Sequence, residues 1–306
     1  MIKKISRKAP LFMAACMAFA LVLAGCGGSG SPADRGPGIG NGGGGNNGGG
    51  GGGNGGGLPS DTGPTPIIFN YTNDTEQGLW RIEASGPPTL VPDTEVFSDA
   101  ITHIIDNEGT FVFAVRDDVL SFPTPATTIL TGNNKNLTII GMDGTRVLAR
   151  GVAGQIINTS GTATNSSVTL RNITLRGQAT GNPAPIVNVE GGWRFVMEGD
   201  SRIEGNVSSG AGLPTLNAYG AAVRIAGGSR LYMRSGQITG NRSSSTNANA
   251  VGGVSMQGAG SRIIMLGGTI TGNSRGPSAT DNTPSDIRIS DNGQIYGPTG
   301  SSVIHR

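Results

Sequence analysis

The hydrophobic positions in the second half of the chain come in short alternating bursts, and the bursts repeat. Residues 186–206 read IVNVEGGWRFVMEGDSRIEGN, residues 222–241 read AVRIAGGSRLYMRSGQITGN and residues 253–273 read GVSMQGAGSRIIMLGGTITGN. Each copy runs Val-x-apolar, a pair of glycines, apolar-x-Met, a polar turn and then Ile-x-Gly-Asn. The terminal Asn recurs at 206, 241 and 273, in steps of 35 and 32. Residues 286–297 form a shortened fourth copy, and residues 136–141 and 167–177 look like earlier ones. A two-residue period predicts strands, and strands this short cannot bury their apolar side alone. Stacking the copies solves this, with Val187, Val223 and Val254 about 4.8 Å apart in one column. Met197, Met233 and Met265 form a second column, and Ile203, Ile238 and Ile270 a third. Three strands per turn with Val, Ile and Met inside describe an all-β chain folded as a parallel β-helix, a solenoid. Asn206, Asn241 and Asn273 are expected to stack at a turn, each side-chain amide bonding the next.

Upstream the pattern changes. Residues 67–71 and 79–83 alternate as strands around a polar turn at 72–78, and Pro87 and Pro88 end the pair. Residues 98–107 predict a helix with Ser98 as its N-cap; Phe97, Ile101, Ile104 and Ile105 share a face, His103 falls off it and Gly109 stops it. Residues 110–115 alternate again as a strand.

Composition divides the chain further. Of its 54 glycines, 19 lie between residues 27 and 57. This run offers almost no side chain to bury, so it cannot offset its ordering entropy and is expected to be a disordered tether. Residues 28–65 as a coil span about 35 Å. The run lacks the Lys-Ser/Thr and helix of a phosphate-binding loop, and its one Asp, Asp34, stands outside the Gly-rich nonapeptide pattern that binds calcium. Ahead of it, Lys3, Lys4, Arg7 and Lys8 precede an apolar stretch from 11 to 23, too short to cross a bilayer as a helix. The stretch ends Leu23-Ala24-Gly25-Cys26, which resembles the lipobox of bacterial lipoproteins. That resemblance implies cleavage between Gly25 and Cys26, lipid on the Cys26 sulfur and acylation of the new amino terminus. The domain plan is then a signal peptide at 1–25, a lipidated linker at 26–65 and a β-helix at 66–306. More than one acyl chain makes membrane anchoring stable. Gly27 after the Cys resembles the pattern of lipoproteins sent to the outer membrane.

Charge narrows the partners. The whole chain carries 22 basic and 20 acidic residues. Removing the four basic residues of the signal leaves 18 against 20, a net of −2, with Lys135 the one remaining Lys. Nucleic acid, which needs clustered positive charge, is excluded as a partner. With Cys16 lost in the signal and Cys26 acylated, thiol catalysis and disulfides are excluded as well.

The repeats from about residue 97 to 297 resemble the right-handed parallel β-helix of the pectin-lyase-like superfamily, and more narrowly the repeat-bearing bacterial lipoproteins common in spirochaetes. In such folds an N-terminal helix commonly caps the open core, a role that residues 98–107 fit. The enzymes of the superfamily are lyases with clustered Asp holding calcium, or hydrolases with acid pairs. Here the outward carboxylates Glu190, Glu198 and Glu204, with Asp200 in a turn, all belong to one repeat. Glu198 stacks on Arg234 as an inter-rung ion pair, worth about 0–1 kcal/mol if exposed. His103 and His305 give no metal or triad pattern. Asp281, Asp286 and Asp291 have the oxygen chemistry of a Ca2+ site, but they also fit ordinary Asx turns. No cofactor is otherwise expected. Arg194, Arg230 and Arg262 recur at one outward position, with Tyr232 two residues on and Trp193 adjacent. They offer a ligand face for an acidic glycan or the carboxylates of a host or envelope protein, or else a solvated face shielding the sheet. The expectation is a non-enzymatic lipoprotein anchored in the bilayer through Cys26; the alternative is a polysaccharide lyase or glycoside hydrolase of the same fold.

Overall fold

A computed structural model describes residues 63–71, 75–117, 119–121, 129–144, 146–151, 154–179, 184–208, 222–245, 250–278, 280–281 and 283–297. The chain divides into units at residues 1–53 and 54–306, and every described residue belongs to the second. Cys26 and the Gly-rich run lie outside the described residues.

The described chain opens with β1 (Gly78–Ile82) and β2 (Thr89–Leu90), followed by helix α1 (Phe97–Asp106) and β3 (Gly109–Val115). The early rungs follow as β4 (Val119–Ser121), β5 (Lys135–Gly141), β6 (Arg146–Ala149), β7 (Ile157–Asn158), β8 (Ser167–Arg171) and β9 (Ile173–Arg176). The first full repeat gives β10 (Val187–Val189), β11 (Arg194–Glu198), β12 (Arg202–Glu204) and β13 (Val207–Ser208). The second gives β14 (Val223–Ile225), β15 (Arg230–Met233), β16 (Gln237–Thr239) and β17 (Arg242–Ser243). The third gives β18 (Val254–Met256), β19 (Arg262–Met265), β20 (Thr269–Ile270) and β21 (Ser274–Arg275). Beyond it lie β22 (Thr283–Pro284), β23 (Ile287–Ile289) and β24 (Gln294–Tyr296).

Equivalent strands of successive repeats pair in parallel, in the register that the repeats prescribe. Val187 pairs with Val223 and Val223 with Val254. Met197 pairs with Met233 and Met233 with Met265. Ile203 pairs with Ile238 and Ile238 with Ile270. The result is a parallel β-solenoid. Its sheets run in the orders β2-β1-β3-β5-β8-β11-β15-β19-β24, β23-β18-β14-β10-β7, β20-β16-β12-β9-β6-β4 and β13-β17-β21-β22. The last of these is a difference from the expected three strands per turn. Val207–Ser208, Arg242–Ser243 and Ser274–Arg275 make a fourth, two-residue strand just past each Gly-Asn. A strand that short has too few residues to display a period.

The inward columns merge into one core, from Leu79 and Phe113 through Leu170, Met197 and Met233 to Ile263 and Ile287. Each fully buried Leu, Ile, Phe or Met in it contributes about 1.5–3 kcal/mol. Tight corners between strands depend on glycine. Gly191 sits at φ +80°, and a Cβ there would collide with the carbonyl oxygen of Gly161 one rung below.

Helix α1 closes the first end of the core. Phe97, Ala100, Ile101 and Ile104 are buried, and the Phe97 ring meets Phe113 edge-on at 5.0 Å. Ile105 is only half-buried, and His103 packs edge-on against Phe111 at 5.8 Å. Ser98 is not the N-cap. Val96 holds that position with no side-chain bond, because the helix starts one residue earlier, at Phe97. The helix C-terminus is satisfied from the sheet. Lys135 is buried, and its ammonium donates to the carbonyls of Ile104, at 2.9 Å, and Ile105 in the last turn, where the Ile104 carbonyl also accepts from the Asn107 N–H at 3.3 Å.

Residues 67–71 do not form the expected strand beside β1. Both edges of β1 are taken, by β2 and by β3, each antiparallel. The segment instead lies across the outside of the nine-stranded sheet. Phe69, Ile67 and Tyr71 pack with Val112, Ala114, Ile140 and Met142 on the face opposite the main core.

Candidate functional site

The outer face of the nine-stranded sheet carries the residues that the sequence singles out. Along β11 the alternation turns Phe195 and Met197 inward and Arg194, Val196 and Glu198 outward. Arg194 pairs with Arg230 and Arg230 with Arg262, so the three guanidinium-bearing positions form one column of half-buried side chains. Arg262 lies over the Tyr296 ring at 5.8 Å.

The aromatic residues assigned to this ligand face are not available to a ligand, which corrects that part of the expectation. Trp193 has the same parity as Phe195 and Met197, so it belongs to the core and is 1% exposed. Tyr232 does point outward, but it is 0% exposed in a cluster with Val196 and Ile264. Residues 63–71 form a strap over this face. Gly63 lies flat on the Tyr232 ring, where a Cβ would come within 2.9 Å of Cδ1. Among the described residues Gly63 is the first to pack on this face, and it falls inside the stretch assigned to the linker.

The strap is held by an ion-pair group. The Glu198 carboxylate sits between Arg171 on the preceding rung and Arg234 on the following one. Arg171 Nε donates to Oε1 at 2.7 Å, and Arg234 Nη1 donates to Oε2 at 3.2 Å. Both guanidiniums also reach the strap: Arg171 donates to the Ile67 carbonyl at 2.8 Å, and Arg234 donates to that of Pro64. The Glu198 side chain is 12% exposed, so this is a part-buried group rather than a surface pair. The other outward carboxylates are paired too. Glu190 meets Arg224 at 3.2 Å, and Glu204 meets Arg176 at 3.0 Å.

Asn206, Asn241 and Asn273 stand in line at the corner after the six-stranded sheet, buried at 0–1% exposure. The backbone N–H of Asn206 donates to Asn241 Oδ1, and that of Asn241 to Asn273 Oδ1, each at 3.1 Å. Asn241 Nδ2 donates to Asn273 Oδ1 at 3.0 Å and to the Ile203 carbonyl at 3.0 Å. Arg150, missed by the sequence reading, meets the first member. It is buried, donates to Asn206 Oδ1 at 3.2 Å and to the Ala184 and Pro185 carbonyls, and has no carboxylate partner among the described residues. Desolvation of the buried guanidinium lowers its pKa from the ordinary arginine value to about 9.

The acids considered for calcium do separate jobs. Asp286 accepts from Asn273, Asp281 accepts from the Thr283 hydroxyl at 2.9 Å, and Asp291 accepts from Ser290 at 3.3 Å. Among the described residues no group of three or more His, Cys, Asp or Glu comes together as a metal set.

Among the described residues a polar trough of about 790 Å³ opens on the outer face of the six-stranded sheet. Its walls include Arg176, Arg202, Glu204, Gln237 and Thr269 from successive rungs, with Asp200 at the rim. Gly236 forms its corner at φ +85°.

No helix among the described residues is long and apolar enough to cross a membrane. No family model, curated protein or solved structure matches the chain.

Proposed function

We propose that this chain is an exported lipoprotein of the cell envelope, most simply of the outer membrane, held in the bilayer by an acylated Cys26 and displaying its β-solenoid as a non-catalytic binding rod. The observation that carries the reading is the order of features along the chain. A basic segment, a short apolar run and Leu-Ala-Gly-Cys precede a Gly-rich stretch and then a repeat domain. Pairing of Glu190, Glu198 and Glu204 with Arg supports binding over catalysis, because acid–base work needs carboxylates free to exchange protons.

Tyr232 and Trp193 are buried and cannot stack on a sugar face, so we propose the trough as the contact surface instead. Arg202, Gln237 and Thr269 present donors and hydroxyls there at rung spacing, the chemistry of a hydrated ligand such as an acidic glycan, or of a polar protein segment. Incorporation of an alkyne-bearing palmitate analogue into the parent chain, and its loss in Cys26→Ala, tests the anchor. A parent chain that carries no label sinks it. For the trough, Arg202→Glu is expected to lose retention on polygalacturonate beads that hold the parent chain. Release of unsaturated or reducing sugar ends by the parent chain would favour the enzyme reading instead.

A further inference from the structure

The strap ends, as described, part-way along a strip that continues beyond it. Phe69 lies over β3 and β5, the Ile67 carbonyl is held from β8, the Pro64 carbonyl from Arg234 just past β15, and Gly63 rests on Tyr232 of β15. Between β5 and β15 lie three rung steps, about 14 Å, crossed in six residues. The described strap, followed from Phe69 back to Gly63, therefore points along the sheet toward β19 and β24. The same outer column continues there: Tyr232 pairs with Ile264, and Ile264 with Tyr296. Ile264 is fully buried on this outer side, and Leu266 and Tyr296 pack beside it half-buried.

The residues preceding Gly63 have the composition to cover that strip. They read Leu58-Pro59-Ser60-Asp61-Thr62, and the Gly-rich run stops at Gly57. Two more rungs span about 10 Å, which the strap's own pitch covers in about four residues. Two residues at that pitch make about one rung, the step that separates Tyr232 from Ile264 and Arg230 from Arg262. A column of like charges at strand spacing is stable where a carboxylate bridges it. The strap's other flank already shows the arrangement, with Glu198 between Arg171 and Arg234.

We propose that the outer strip of β19 and β24, formed by Arg262, Ile264, Leu266 and Tyr296, is the docking site for residues 58–62 of the same chain, with Leu58 on its apolar end and the Asp61 carboxylate between Arg230 and Arg262. The strap then runs the length of the sheet, and the tether begins at Gly57. The inference does not depend on the lipid anchor.

Hydrogen exchange on the full chain in detergent tests it. The amides of residues 58, 60, 61 and 62 should exchange on the order of ten-fold or more slower than those of residues 42–57. Asp61→Lys and Arg262→Glu should each bring residues 58–62 to the rate of the Gly-rich run, and combining the two changes should restore protection. Exchange of residues 58–62 as fast as the Gly-rich run in the parent chain would overturn the proposal. So would protection that vanishes on dilution, which would assign the strip to a second copy.

Discussion

Asp286 Oδ1 accepts both of the N–H groups that Asn273 turns toward it, from the backbone nitrogen and from Nδ2, each at 2.9 Å. At the other end of the same column, Arg150 donates to Asn206 Oδ1. Along the column each amide oxygen accepts from the preceding rung and each backbone N–H donates to the next, while Nδ2 of Asn241 and Asn273 also donates back to the Ile203 and Ile238 carbonyls. The aligned dipoles thus meet a guanidinium at their oxygen end and a carboxylate at their N–H end, as charged side chains complement the ends of a helix.

Removing a middle member of that column strands groups on both sides of it. In Asn241→Ala the buried Asn206 N–H loses its acceptor, and the Ile203 carbonyl and Asn273 Oδ1 lose a donor. Each unmatched buried group costs about 1–3 kcal/mol, so a loss of about 3 kcal/mol is expected. Asp286→Asn keeps an acceptor and loses only charge, so about 1 kcal/mol is expected. Urea denaturation compares the two. No loss in Asp286→Asn would contradict the end-capping role of the carboxylate charge.

The corner at Gly236 is fixed by two independent constraints. Its φ is +85°, and a Cβ would stand 2.5 Å from the Ser201 carbonyl oxygen one rung below. Gly236→Ala combines left-handed strain of about 1–2 kcal/mol with a backbone displacement. A loss of at least about 2 kcal/mol in urea is expected. Gly228 has φ +76° but open space around the missing Cβ, so Gly228→Ala should show the strain alone.

Much of this architecture can be read from the phase of the repeats. Val187, Met197 and Ile203 sit at fixed distances from Asn206, and the same distances recur before Asn241 and Asn273 to within a residue or two, so the register followed from counting. Glu198 against Arg234 followed in the same way. Trp193 shows where the reading slipped: its parity with Phe195 and Met197 already placed it inside. The strap was harder to see, because Ile67, Phe69 and Tyr71 alternate as a strand does. Only the occupied edges of β1 decide that this alternation packs on a sheet face rather than joining a ladder. Arg150 carried no signal, since its partners are backbone carbonyls and an amide at least 34 residues away.

Glu198 links the sheet to the strap, so its loss should be felt in both. In Glu198→Gln, Arg171 and Arg234 lose the charge they share while still facing the Ile67 and Pro64 carbonyls. The group is part-exposed, so a loss of about 2 kcal/mol is expected, below that of a fully buried pair. Cleavage by a protease that cuts after aromatic residues should rise at Phe69 before it rises in the core strands. Unchanged cleavage at Phe69 would show that apolar packing alone holds the strap.

Arg150 gives the fold an unusual alkaline response. Its folded pKa, about 9, lies well below the ordinary value it has in the unfolded chain because burial disfavours the charged form. Below about pH 9 the folded state carries the full cost of that charge, as both states hold the proton. Above it the folded state releases the proton while the unfolded chain keeps it, so this group's contribution to stability rises with pH until the unfolded side chain titrates. Between about pH 8 and about pH 10.5 the parent chain should gain about 2 kcal/mol relative to Arg150→Gln. Paired urea melts at the two pH values isolate the difference, because every other titrating group is common to both chains. A constant gap would mean that the guanidinium stays protonated, its charge carried by the carbonyls of Ala184 and Pro185 and by Asn206.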